Sequence, residues 1–102
     1  MSDLNRKMAE LMGWKWDLTH WVDGSGEHEE WIMEWDPTHN IADAFKVADK
    51  LFDKYELDLQ HDKEGWFAIF VPHKNIHLDY SALAETAPLA ICKAAEKVMD
   101  AR

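Results

Sequence analysis

Apolar residues recur along this chain with two different periods, and the switches between them outline its elements. Leu4, Met8, Leu11 and Met12 fall at i, i+4, i+7 and i+8, the spacing of one helix face. Ser2 or Asp3 can cap that helix, and Gly13 is placed to stop it. The period then drops to two. In Trp14–Asp23 the even positions are Trp14, Trp16, Leu18, His20 and Val22. In Glu27–Trp35 the odd positions Trp31, Met33 and Trp35 are apolar. Asp23-Gly24-Ser25-Gly26 lies between, and Gly24-Ser25 suits a type II′ turn. That turn predicts a hairpin in which paired residue numbers sum to 49, so Trp14 faces Trp35, Trp16 faces Met33 and Leu18 faces Trp31. A slip of one residue would bury the acids instead.

Pro37 marks a break, and Thr38 or Asn40 can cap a second helix. Its predicted apolar face is Ile41, Ala44, Phe45, Ala48, Leu51 and Phe52, with Asp43, Lys46, Lys50, Asp53 and Lys54 turned away. A second hairpin follows: Tyr55–His61, a turn over Asp62-Lys63-Glu64-Gly65, and Trp66–Pro72. Leu57 and Leu59 alternate with acids and Gln60, whereas Trp66-Phe67-Ala68-Ile69-Phe70-Val71 is apolar on both faces. A strand of that kind belongs at the centre of a sheet with cover above and below. Ile76, Leu78 and Tyr80 permit a short edge strand. Thr86 can cap a last helix, with Pro88 in its first turn and a stripe of small residues at Ala87, Ala90, Ile91, Ala94, Ala95 and Val98.

The predicted fold is α+β: an antiparallel sheet of four to five strands, made from two hairpins, with three helices in an α-β-(α) sandwich of order α-ββ-α-ββ-α. Helices two and three pack on the sheet, and the first helix or a partner covers part of its other face. The 102 residues are expected to form one domain.

Charge changes this picture in one place. Lys and Arg number 11 against 20 Asp and Glu, a net charge of −9. Trp16–Phe45 contains neither Lys nor Arg, yet holds eight acids, four of the six Trp and three of the six His. The predicted register divides that segment. Trp14, Trp16, Trp31 and Trp35 become core candidates. Asp17, Trp21, His28, Glu30, Ile32 and Glu34 share the opposite, acidic face. Either the first helix covers Trp21 and Ile32, or they are exposed. An exposed Trp ringed by acids suits a basic protein partner.

The same acidity disfavours direct binding to nucleic acid or to an anionic membrane surface. The start Met-Ser-Asp-Leu-Asn-Arg-Lys precedes no apolar run, so no signal peptide is expected, and Trp66–Pro72 is too short to span a bilayer. A cytoplasmic protein is the default. Cys92 is the one cysteine, which leaves no internal disulfide. His20, His28, His39, His61, His73 and His77 lack metal-ligand spacing, and Glu27-His28-Glu29 are strand neighbours that point to opposite faces. No metal or cofactor is expected. The acidic setting favours protonated His28 and His39. Gly24-Ser25-Gly26 is a hairpin turn and no nucleophile elbow, and Gly13, Gly24, Gly26 and Gly65 read as turns or caps. Catalytic residues are therefore not assigned.

Four stretches resemble the phage ABA sandwich domain, a family of small phage and prophage proteins. They are Met12-Gly13-Trp14, Trp21-Val22-Asp23, Trp35-Asp36-Pro37-Thr38-His39-Asn40-Ile41-Ala42-Asp43-Ala44, and Thr86-Ala87-Pro88-Leu89-Ala90-Ile91-Cys92-Lys93-Ala94-Ala95. Family members often carry an acid after that last Pro. Leu89 stands there in this chain, which forgoes a capping-box contact. The resemblance implies a phage or prophage protein with helices on both sides of a sheet. It brings no catalytic residues.

The expected function is that of a non-enzymatic accessory protein in the bacterial host cytoplasm, acting by contact with a host or phage protein through the acidic hairpin face. One alternative is an acidic inhibitor of a host nucleic-acid-binding or defence protein, with carboxylates mimicking phosphates. A second is a metal-binding protein or enzyme that uses His and carboxylates. A third is a virion or assembly component, for which a homo-oligomer is expected.

Overall fold

Seven alanines dominate the contact between the last helix and the sheet beneath it, and the other elements are arranged around that contact. The computed structural model describes residues 3–17, 20–23, 31–32, 35–74 and 79–101. In chain order the elements are α1 (Asp3–Leu11), β1 (Trp14–Asp17), β2 (His20–Asp23), β3 (Trp31–Ile32), α2 (Ile41–Leu51), β4 (Tyr55–Asp62), β5 (Gly65–Pro72), β6 (Tyr80–Ala84) and α3 (Ala87–Asp100). Two antiparallel sheets result, β1-β2-β3 and β4-β5-β6. The structure thus has the α+β class and the three helices expected. Among the described residues the strands form two three-stranded sheets, where a single sheet of four to five strands was expected.

The second hairpin forms as predicted. Tyr55 pairs with Pro72 and Asp62 with Gly65, so the turn is Lys63-Glu64 and β5 lies between β4 and β6. An edge strand falls at Tyr80–Ala84, while Ile76, His77 and Leu78 of the predicted stretch lie outside the described residues. Alanine is a weak strand former, so Ala82 and Ala84 gave no alternating signal. They are buried because α3 packs on β5 and β6 with its own small side chains. Ala68, Ala82 and Ala84 on the sheet, with Ala87, Ala90, Ala94 and Ala95 on the helix, let the two layers approach closely. Phe70, Ile91 and Val98 fill the remaining space and are fully buried.

The first hairpin differs from expectation. β1 pairs with β2, matching Trp14 with Asp23 and Trp16 with Trp21. β2 pairs in turn with β3, matching Trp21 with Ile32 and Val22 with Trp31. Paired numbers therefore sum to 37 and 53, not 49. Trp14–Asp23 is two strands where one was predicted. Dividing an alternating run into two strands leaves its period unchanged, so period alone does not reveal it. The predicted partners Met33 and Leu18, and the Gly24-Ser25 turn, lie outside the described residues.

Helix α2 is rotated from its predicted orientation. Ala44, Val47 and Leu51 are buried, while Ile41 is 42%, Phe45 45% and Phe52 64% exposed. Asp43, predicted to face away, is buried. Both stripes have helical spacing, so sequence periodicity alone does not choose between them. The choice comes from α3. α2 lies against it, and the buried stripe is the one with smaller side chains.

Helix α1 buries Met8 and Leu11 of its predicted stripe against the same core, together with Ala9, while Leu4 and Met12 are partly buried, and Gly13 ends it at φ +82°. It packs on α3, and Lys7 Nζ lies 2.9 Å from Glu96 Oε2. Because α1 and α2 both touch α3, they share its side of the β4-β5-β6 sheet. The helices expected on both sides of that sheet are on one side among the described residues. No helix of those residues is long and apolar enough to cross a membrane.

Gly65 begins β5 at φ +133°, and a Cβ there would sit 2.5 Å from the Ala84 carbonyl oxygen. Gly65→Ala is expected to destabilise the protein by about 1–3 kcal/mol. Thermal unfolding should show Tm falling by roughly 4–8 °C per kcal/mol. An unchanged midpoint would show that the backbone relaxes there at no cost.

Candidate functional site

The segment leading into α2 holds a cluster of polar side chains, and Asn5 of α1 is at its centre. Asn5 Oδ1 accepts the Thr38 N–H at 3.1 Å, and Asn5 Nδ2 donates to Asp36 Oδ1 at 2.9 Å. The Trp35 ring N–H donates to the Asn5 carbonyl oxygen at 3.0 Å. Trp35 is buried, as expected, and makes this bond, while its predicted partner Trp14 pairs with Asp23. Thr38 Oγ1 also donates to Asp36 Oδ1, at 3.0 Å, and His39 Nδ1 lies 3.0 Å from the same oxygen. Asp43 Oδ2 accepts the Asp36 N–H at 3.1 Å, and Asn40 caps α2 by accepting the Asp43 N–H at 3.0 Å. The predicted alternative cap, Thr38, serves the turn instead.

This cluster brings together the residue types of a hydroxyl, histidine and aspartate triad, so its geometry decides its chemistry. A triad needs one ring nitrogen on the carboxylate and the other on the nucleophile. Here Nδ1 alone meets both Thr38 Oγ1, at 3.1 Å, and Asp36 Oδ1. Thr38 is 5% exposed, and its hydroxyl proton points to Asp36. No proton path runs from hydroxyl to ring to carboxylate. The arrangement is a clamp that joins α1, the loop and α2. Sequence reasoning missed Asn5, since a lone Asn in a helical pattern carries no signal of its partners.

The clamp sets the state of Asp36. The His39 hydrogen bond, aided by Asn5 and Thr38, holds its carboxyl below the ordinary value of 3.8 against an opposing cost of burial. Nearby, Cys92 is fully buried. Burial, with the charges of Asp36 and Asp43, pushes its thiol up to about 12. The thiolate that nucleophilic chemistry needs is absent at neutral pH.

The remaining histidines of the described residues are dispersed. His61, at the end of β4, stacks on Trp66 with ring centroids 4.4 Å apart, and His73, after β5, meets Phe52 edge-on at 6.2 Å. Among the described residues no group of three or more His, Cys, Asp or Glu is arranged to hold a metal ion. Of the predicted acidic face, Trp21 and Ile32 are brought together as register partners. Asp17 pairs with His20, in the row next to Trp16–Trp21–Ile32. His28, Glu30 and Glu34 lie outside the described residues.

A second surface, which the sequence signalled only through the two-sided strand, is the outer face of the β4-β5-β6 sheet. Phe67, Ile69 and Val71 are half-buried there, and Leu83 is 46% exposed. The register sets Glu56 beside Val71, Asp58 beside Ile69, and Leu83 beside Phe67.

Helices on one face of an antiparallel sheet, with a polar clamp serving structure, define a small α+β protein without an assembled catalytic centre among its described residues. The phage ABA sandwich domain matches residues 6–96, and the chain belongs to that family. The motif Trp35–Ala44 that carries the resemblance is the clamp and the start of α2. The fold is similar to that of a phage protein from Bacillus cereus ATCC 14579, with 24% identity and a TM-score of 0.71 over 98% of this chain and 89% of that one. At that identity the likeness concerns the fold. No curated protein matches the chain.

Two measurements test these assignments. A carboxyl with a lowered folded pKa adds stability that is present above its unfolded pKa and lost as pH falls through the folded value. Asp36→Asn should therefore destabilise the protein at pH 7, by an amount that shrinks below about pH 4. Denaturant titrations at stepped pH check this, and a constant difference down to about pH 2 would contradict it. Cys92 should resist a thiol reagent in the native protein at pH 8 and react fully in denaturant. Rapid native labelling would show that the core opens.

Proposed function

We propose that this chain is a phage- or prophage-encoded accessory protein that works by binding another protein, host or phage, in the bacterial cytoplasm. It performs no chemistry of its own. The observation that carries this reading is where the large apolar side chains lie. Alanine fills much of the core, while Ile41, Phe45, Phe52 and Leu83 remain 42–64% exposed. Ile41, Phe45 and Phe52 form one stripe along α2, spaced i, i+4 and i+11. Large apolar side chains held exposed on one side of a helix are candidates for contact with a partner. The candidate residues Asp17, Trp21, His28, Glu30, Ile32 and Glu34 belong to the same reading, as a second region suited to a basic partner, with Trp21 and Ile32 in one cross-strand row and Asp17 in the next.

Affinity capture from the bacterial host, followed by release with rising salt, tests the proposal. A stoichiometric partner should be retained at low salt, and its retention should fall at least about tenfold in Trp21→Ala/Glu30→Lys or in Phe45→Ser/Phe52→Ser. Thermal melts would first establish that each variant is folded. No retained protein from either host or infected cells would sink the reading, and capture unchanged in both folded variants would remove these two surfaces from it.

A further inference from the structure

We infer that the outer face of the β4-β5-β6 sheet is the docking surface for a basic amphipathic helix of a partner protein. This rests on the protein-binding reading above and assigns it a surface and a partner chemistry. The argument begins with β5. Its inward residues, Ala68 and Phe70, are buried under the helices, yet its outward residues Phe67, Ile69 and Val71 are as apolar as a doubly covered strand requires. All three helices lie on the inner side, so no described helix supplies the second cover.

Charge selects the occupant. Across the outer face, β4 presents Glu56, Asp58 and Gln60, β5 presents Phe67, Ile69 and Val71, and β6 presents Ser81 and Leu83. None of these positions is basic. Lys54, Lys63 and Lys74 fall beyond the strand ends. An apolar strip with an acidic border complements a helix with an apolar stripe and Lys or Arg along one flank. A second copy of this chain is a poor occupant, because stacking the face on itself would bring the same acids together without a counter-charge. The dimensions agree. Phe67 to Val71 spans about 13 Å at roughly 3.3 Å per strand residue, which two to three helical turns cover.

The probe is a synthetic amphipathic helical peptide of about fourteen residues, built from Leu and Lys. Its counterpart replaces every Lys with Glu. Adding each to isotope-labelled protein should show saturable amide shifts from the Lys peptide, centred on β5, β6 and the Glu56–Gln60 stretch of β4. The Glu peptide should give none. Leu83→Ser and Glu56→Lys/Asp58→Lys should each weaken the affinity at least about tenfold. Ala42→Ser, at an exposed position of α2, should leave it unchanged. The wild-type shift map needs no variant, so a misfolded mutant leaves the test intact.

Shifts centred on α2 or on β1–β3, equal binding of the Glu peptide, or no binding of either would overturn the inference. So would sedimentation showing a dimer that Leu83→Ser dissociates, since the occupant would then be a second copy. A partner captured from host cells whose retention survives both outer-face variants would leave the protein-binding reading standing and remove this face from it.

Discussion

The close approach of α3 to the β4-β5-β6 sheet is the constraint on which the rest of the structure depends. Ala68, Ala82 and Ala84 below meet a helix carrying Ala87, Ala90, Ala94 and Ala95 above, and all are buried. Interiors pack as densely as organic crystals, so a contact built from alanine leaves little room for larger groups nearby. That shortage decides the rotation of α2. It presents Ala44, Val47 and Leu51 to the core and leaves Ile41, Phe45 and Phe52 outside. The apolar surface available for contact with other molecules follows from how the core is packed.

The second constraint is the Asn5 clamp. One side chain and one carbonyl of α1 satisfy the Thr38 N–H, the Asp36 carboxylate and the Trp35 ring N–H. A buried donor without a partner costs about 1–3 kcal/mol, so these bonds define the path of the loop more than they add net stability. They tie the first helix to the second across more than thirty residues of sequence. The cluster has the composition of a catalytic site and the geometry of a brace. Its histidine uses a single nitrogen for both neighbours, and its hydroxyl is buried and already committed.

With the polar cluster occupied in holding the fold, the functional reading moves to surfaces. β5 is apolar on both sides and the helices cover one. Glu56 and Asp58 border the other side, and α2 carries a separate apolar stripe. Protein contact uses such surfaces at modest cost, because the side chains are already held by a rigid sheet or helix.

Much of this was legible in local pattern. The helices of α1 and α3, the Asn40 and Thr86 caps, the Gly13 stop and the hairpin of β4 and β5 all follow from periodicity and terminal chemistry, which act within a few residues. The two-sided character of β5 was equally plain. The register of β1–β3 was not, because dividing an alternating run into two strands leaves its period unchanged. The face of α2 was not, because two apolar stripes share one helix and the choice belongs to α3. The Asn5 clamp was not, because its partners lie far along the chain. Sequence by itself determined which segments become helix or strand. Tertiary structure alone decided which faces are buried and which polar groups meet, since dense packing and hydrogen-bond satisfaction act between segments that local pattern never compares.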